Sequence, residues 1–232
     1  MKVIGLIGGM SWESTVTYYR IINEKVKNML GGLHSAKCIL YSVDFHEIEE
    51  CQATGNWEKS GEILGNAAQS LEKSGADFIV ICTNTMHKVV NIIKKKISIP
   101  IFHIAEATAD EILKKGIKNI GLLGTKYTME QEFYKSVLTE KGINVIIPDK
   151  DDMEIINKII YDELCVGIIN SNSRLKYTEI ANKLKNKGIE GIILGCTEIG
   201  LLIGQENIDI PLFDTALIHA KKAAEFSING NI

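Results

Sequence analysis

Two of the five cysteines, Cys82 and Cys196, share a setting that the other three lack. Each ends an apolar run, Phe78-Ile79-Val80-Ile81 in one case and Ile192-Ile193-Leu194-Gly195 in the other, and each is followed by threonine and a polar cluster. An apolar run of this length without a polar break reads as a strand buried on both faces, as in a parallel sheet. Ligands of open α/β sheets bind beyond the carboxyl ends of such strands. One cysteine at that station is most simply a small core residue. Two of them, both continuing into threonine, point instead to a pair of proton-transfer groups. The chemistry that needs such a pair is removal of a proton from carbon in a small acid and its return from the opposite face, with one sulfur as thiolate and the other as thiol. Thr83, Asn84, Thr85, Thr125 and Thr197, at helix starts, would offer hydroxyl and N–H groups to the acid's carboxylate. A free thiol titrates near 8.5, so these helix starts are expected to lower it by roughly one or two units.

The elements that must position these groups follow from the pattern of the chain. A strand at 3–7 runs into Gly8-Gly9, and Ser11 is placed to cap a helix with Tyr18, Ile21, Ile22 and Val26 inward and Gly31-Gly32 as its stop. A strand at 37–43 follows, then a long polar loop over 44–57, a helix over 58–74 stopped by Gly75, the Cys82 strand, a helix to 96 and a short strand at 99–104. The plan then restarts: strand 119–125, helix 127–141, strand 144–147, helices 152–164 and 175–187, the Cys196 strand, and a strand over 210–215. Gly5 and Gly121, Cys82 and Cys196, and Pro100 and Pro211 are each separated by nearly the same length of chain. An internal repeat of this length fits two α/β domains of one plan, with right-handed crossovers between parallel strands. The expected architecture is α/β with two pseudo-symmetric domains, each a parallel sheet flanked by helices, and the active site in the cleft between them. The domains are expected to span 1–104 with about 214–232, and 105–213; the last helix, 216–226, returns to the first.

Composition narrows the partners. A net charge of −3 gives no footprint for nucleic acid or an anionic membrane surface, and no apolar stretch reaches the length of a membrane span. An odd number of cysteines without Cys-x-x-Cys spacing fits free thiols in the reducing cytoplasm. Gly5-Leu6-Ile7-Gly8-Gly9 is not the G-x-G-x-x-G fingerprint, and no phosphate-loop or G-x-S-x-G sequence occurs. His46-Glu47-Ile48-Glu49-Glu50 lacks the second histidine of a zinc site. No metal is expected. His87, five residues beyond Cys82, is most simply a partly exposed helix residue, with tuning of the Cys82 thiol as its other reading; Glu198 is a helix-cap residue or, being so near Cys196, a side chain that supports it; Cys38, Cys51 and Cys165 are packing residues.

Four stretches carry a resemblance: Gly8-Gly9-Met10-Ser11-Trp12-Glu13-Ser14, Cys82-Thr83-Asn84-Thr85-Met86-His87-Lys88, Leu123-Gly124-Thr125 with Tyr127-Thr128-Met129, and Gly195-Cys196-Thr197-Glu198. With them the chain resembles the aspartate/glutamate racemase family, the pyridoxal-phosphate-independent amino-acid racemases, in its aspartate and broad-specificity branch. The resemblance implies a cofactor-free mechanism with Cys82 and Cys196 as the two bases, an amino-acid substrate, and a homodimer. It also implies that Met10, Asn84, Thr85, Thr125 and Thr197 line the substrate site. Gln52, in the loop after the second strand, is a further expected substrate contact. Family members specific for aspartate are expected to hold its distal carboxylate with cations from that loop and from a second-domain helix. Here neither 44–52 nor 161–165 contains arginine or lysine. Aspartate therefore stays as the family's default substrate, with neutral polar amino acids such as homoserine expected to react as well or better. Two other classes fit the same scaffold: isomerisation of an unsaturated diacid through a carbanion, and a non-catalytic amino-acid sensor. A sensor has no use for paired thiols.

Overall fold

The computed structural model describes residues 1–230. The chain forms two compact units, Met1–Ile104 with the stretch from His219 onward, and Ala105–Ile218.

In the first unit, β1 (Ile4–Gly8) leads to α1 (Trp12–Leu30), β2 (Cys38–Ser42), α2 (Phe45–Ala53), α3 (Trp57–Lys73) and β3 (Phe78–Ile81). A 3-10 turn over Thr85–Val89 and the short α4 (Val90–Lys94) come next. The sheet order is β2-β1-β3, all parallel, with Ile7 opposite Ile81, and Ile101 adds a single parallel bridge to Ile79. Every residue of β1 and β3 is buried, which is why both read as unbroken apolar runs. Leu64, Ala67, Ala68 and Leu71 of α3 pack on this sheet together with Ile7, Met10, Ile79, Ile81 and Met86. The Ser11 side chain accepts the N–H of Ser14 at the start of α1, and Gly31, at φ 76°, ends the helix.

The second unit repeats the plan. It takes up α5 (Ile104–Lys114), then β4 (Asn119–Gly124), α6 (Lys126–Glu130), α7 (Glu132–Glu140), β5 (Asn144–Ile146), α8 (Lys150–Asp162), α9 (Ser171–Asn186), β6 (Gly191–Gly195), α10 (Ile199–Leu202) and β7 (Leu212–Asp214). Its sheet is parallel in the order β5-β4-β6-β7. With Ile101 in the place of β7, the first sheet has the same order. The last helix, α11 (Thr215–Asn229), brings Phe226 against Phe78 at 4.8 Å between ring centroids, edge to face, inside the first unit.

Four expectations need correction. The polar stretch 44–57 is not a loop: Asp44 caps α2, whose Ile48, Cys51 and Gln52 are buried. A strand over 99–104 reduces to the one bridge at Ile101, because Ile104 already begins α5 and is itself buried on its inner face with Ala105, Thr108, Ala109 and Ile112. The helix over 127–141 breaks at Gln131, whose ψ of 153° is extended. The helix after Cys82 is only a 3-10 turn followed by five residues of α-helix.

Candidate active site

Cys82 directly follows β3, and its N–H donates to Ile7 O of the neighbouring strand at 2.9 Å. Its carbonyl accepts the Ser14 hydroxyl at 3.1 Å, which ties the loop to the first turn of α1. Thr15, one residue on, accepts the Gly9 N–H at 2.8 Å. These contacts explain the double glycine. A Cβ on Gly8 would lie 2.4 Å from Thr15 Cγ2; one on Gly9, at φ +91°, would lie 2.2 Å from Val43 O. The glycines let the end of β1 pass between α1 and the chain leaving β2.

The other site residues expected in the first unit lie around the same strand ends. Met10, Asn84 and Thr85 are buried and Thr83 is half-buried. Gln52, on α2, donates its amide to Met86 Sδ at 3.1 Å, so it packs against the Cys82 motif. His87 is buried, contrary to its expected exposure. Its Nε2 accepts the Ile104 N–H at 3.2 Å, which leaves Nδ1 as the protonated nitrogen facing Thr83 O at 2.8 Å. The ring thus pins the Cys82-Thr83-Asn84 turn to the start of α5.

In the second unit Thr125 follows β4 and caps α6, its Oγ1 accepting the Thr128 N–H at 3.3 Å. A Cβ on Gly124 would lie 2.9 Å from Gly195 O, so the ends of β4 and β6 are closely apposed. Cys196 directly follows β6 and donates its S–H to Glu198 Oε2 at 3.0 Å. The Thr197 hydroxyl donates to the same oxygen at 2.7 Å. Glu198 stands before α10 but makes no capping bond with its side chain. Its buried carboxylate instead gathers the two donors of the Cys-Thr pair.

The electrostatics overturn one expectation. Burial pushes the Cys82 thiol well above its ordinary value, and burial together with the Glu198 charge does the same to Cys196. The elements that follow each cysteine are too short to oppose this: a 3-10 turn with five residues of helix after Cys82, and four residues of α10 after Cys196. Three cations of the chain have these partners. Lys126 pairs with Glu154, Arg174 Nε donates to Leu202 O at 2.7 Å, and Lys88 Nζ lies 3.6 Å above the Trp57 ring. Among the described residues, no three or more of His, Cys, Asp and Glu are grouped to hold a metal ion, and no helix is long and apolar enough to cross a membrane.

A parallel α/β unit with a Cys-Thr pair at the carboxyl end of its third strand, present twice in one chain, defines a class of duplicated α/β proteins with thiols at the ligand-binding strand ends. The model of the Asp/Glu/hydantoin racemase family matches residues 7–223, and the chain belongs to that family. Among curated proteins it is 26% identical over 226 residues to the broad-specificity amino-acid racemase RacX of Bacillus subtilis, covering 94% of this chain and 95% of the relative. A crystal structure of a Yersinia pestis protein assigned to the Asp/Glu racemases is 57% identical, with a TM-score of 0.92 over 99% of this chain and 100% of that one. An aspartate racemase homologue from Pyrococcus horikoshii is 38% identical, with a TM-score of 0.85 and the same coverage.

Proposed function

We propose that this protein is an amino-acid racemase that interconverts L- and D-amino acids by two-base proton transfer at Cα, with Cys82 and Cys196 as the two bases and without pyridoxal phosphate. The observation that carries the proposal is the recurrence of Cys-Thr directly after β3 and β6, at matching positions of two sheets of one strand order. Family membership supports the racemase activity. One sulfur, as thiolate, takes the α-proton; the other, as thiol, delivers its proton to the opposite face, and the roles exchange with substrate hand. Met10, Gln52, Thr83, Asn84, Thr85, Thr125 and Thr197 are the proposed substrate contacts. The Thr197 hydroxyl already donates to Glu198, so Thr197 offers a substrate its backbone N–H and its oxygen lone pairs.

Aspartate is the default substrate of the family branch, and neutral polar amino acids such as homoserine are expected to be turned over as well or better. The engagement of Lys126, Arg174 and Lys88 supports that preference. A buried second carboxylate without a cation would cost several kcal/mol. The test is a chiral assay of kcat/KM for aspartate, glutamate, homoserine, asparagine and alanine. A hundredfold preference for aspartate would correspond to roughly 2.7 kcal/mol of charge recognition and would refute the neutral-substrate reading. No racemisation of any of them would refute the activity. The purified protein is expected to show no pyridoxal absorbance and to keep its activity in hydroxylamine and chelators. The proposal includes a homodimer working in the cytoplasm, where free thiols stay reduced.

A further inference from the structure

Each backbone polar group of Cys82 and Thr83 is held. The Cys82 N–H donates to Ile7 O at 2.9 Å, and the Cys82 carbonyl accepts the Ser14 hydroxyl at 3.1 Å. The Thr83 N–H turns back to Ile81 O at 2.9 Å. The remaining group, the Thr83 carbonyl, faces His87 Nδ1 at 2.8 Å. The imidazole can give that bond in one form only. Its Nε2 lies 3.2 Å from the N–H of Ile104, the first residue of α5, a donor that the helix itself leaves without an acceptor. A nitrogen that accepts carries no proton, so the proton of the neutral ring sits on Nδ1 and points at Thr83 O. The ring is buried, edge to face with His103 and His219, which fixes its plane. The second unit has a different residue at the matching place: five positions beyond Cys196 stands Leu201, exposed and with no polar atom in its side chain.

We infer that His87 is a positioning residue for the Cys82 half-reaction: its Nδ1–H locks the Thr83 carbonyl and thereby aims both the Cys82 thiol and the Asn84 N–H. The inference rests on the two-thiol reading and deepens it. The Thr83 carbonyl and the Asn84 N–H belong to one planar trans peptide, so the bond that holds the oxygen points the N–H the opposite way, away from the ring. Asn84 is one of the proposed substrate contacts, and Cys82 is one residue before the locked carbonyl. A misplacement of about 1 Å at such a group costs on the order of a hundredfold in rate. The ring itself neither gains nor loses a proton in this role. Because Leu201 cannot make the equivalent bond, the effect belongs to the Cys82 face alone.

Two substitutions separate the two bonds of the ring. In His87→Asn the side-chain amide stands where Nδ1 was and can still donate to Thr83 O. In His87→Gln the amide reaches the place of Nε2 and can still accept the Ile104 N–H. Both lose the ring and its contacts, so a residue that only fills space is damaged alike by the two. The measurement is deuterium uptake at Cα of the separate enantiomers of homoserine and aspartate in deuterated water. In the Cys196→Ser background, where Cys82 is the base, His87→Gln is expected to cut uptake about tenfold or more and His87→Asn less than about threefold. In the Cys82→Ser background both should change it less than about twofold. Equal losses from the two substitutions, or equal losses in the two backgrounds, would make His87 a structural residue and overturn the inference. A second readout does not depend on racemisation: alkylation by iodoacetamide, followed by peptide mapping. Releasing the turn exposes the buried Cys82, so His87→Gln should raise its alkylation rate roughly fivefold over wild type and His87→Asn, with Cys196 unaffected. Equal Cys82 rates in the three proteins would overturn the inference. If neither single-cysteine variant exchanges any α-proton, the two-thiol reading fails, and alkylation alone decides whether His87 holds the turn. Should neither His87 variant fold, nitrogen-15 NMR of the wild-type histidines decides: a neutral ring protonated on Nδ1 is expected, and one protonated on Nε2 would overturn the inference.

Discussion

At the residue scale, the proposed chemistry rests on sulfur being a competent base where a hydroxyl is not. A serine in place of either cysteine keeps the approximate shape but is far too weak a base without an activating partner. Cys82→Ser and Cys196→Ser are each expected to lower racemisation by roughly 10²–10⁴-fold, the usual worth of a positioned proton-transfer group. Chiral chromatography of the product from each enantiomer checks this, and near wild-type racemisation in both variants would sink the two-thiol mechanism. The placement of these two cysteines directly after β3 and β6 was legible in the sequence because local pattern alone marks it: an apolar run, a cysteine, a threonine, twice. Glu198 and His87 stand beside the same motifs, and the sequence left a role near each cysteine open for them without fixing their partners. What defines them is burial against partners that no local pattern announces, the sulfur of Cys196 for one and the Ile104 N–H for the other. The expectation of thiols lowered by helix starts failed for a related reason. A polar cluster marks where a helix begins but not how long it runs, and the helices here are too short to supply the field.

At the scale of elements, the first unit is held together by three histidines from three segments: His87 from the turn after β3, His103 ahead of α5, and His219 on α11. The His87 and His103 rings meet edge to face at 4.6 Å, His87 and His219 at 5.8 Å, and His219 stacks on Phe102. Tyr18 of α1 is hydrogen-bonded to His219 Nδ1 at 2.9 Å, and His219 Nε2 lies 2.7 Å from Phe102 O. Burial holds all three rings neutral, with His103 lowered to about 4, helped by the Lys94 charge, His219 to about 3, and His87 well below its ordinary value. Below pH 6.5 the unfolded chain therefore binds protons that the folded chain refuses, so stability is intact above that pH and is lost as pH falls toward 4. Between pH 6.5 and 5 the loss is at most roughly 6 kcal/mol, from three rings at about 1.4 kcal/mol per pH unit. That is a large part of the stability of an ordinary domain. Urea denaturation at pH 7.5 and 5.5 should show a clear fall in midpoint over this window. An unchanged midpoint would mean that the rings are not held neutral. The elements themselves were legible where a helix or strand presents large apolar residues at its period, as in α1, α3, β1 and β6. Of those missed, α2 buries only Ile48, Cys51 and Gln52, and the start of α5 at Ile104 continues an apolar run that reads as strand, so tertiary packing decides both.

On the scale of the whole molecule, the duplicated plan was legible because glycines, cysteines and prolines recur along the chain in the same order. The sequence-based domain boundaries rested on that recurrence alone. What periodicity does not register is an apolar side chain that faces outward. Trp12, Val16 and Tyr19 lie three and four residues apart on α1, so they share one helical face, and all are exposed, Trp12 at 65%. Leu40 and Tyr41 are also exposed on β2, which is the edge strand of its sheet. Single exposed apolar residues are ordinary, but three on one face of a helix, two of them aromatic, mark a candidate interaction surface. The proposed homodimer is the occupant expected there, since a twofold interface presents the same patch from both copies and needs no second surface. Light scattering coupled to size exclusion should then give twice the 25.7 kDa of one chain. Trp12→Glu, which places a charge on the face without touching the core, is expected to shift the protein to the monomer while leaving its circular dichroism unchanged. Trp12 lies close in sequence to Met10 and to Ser14, whose hydroxyl donates to Cys82 O, so the same variant reports whether activity depends on assembly. A monomeric wild type, or a Trp12→Glu protein that remains dimeric, would show that the exposed α1 face is not the interface.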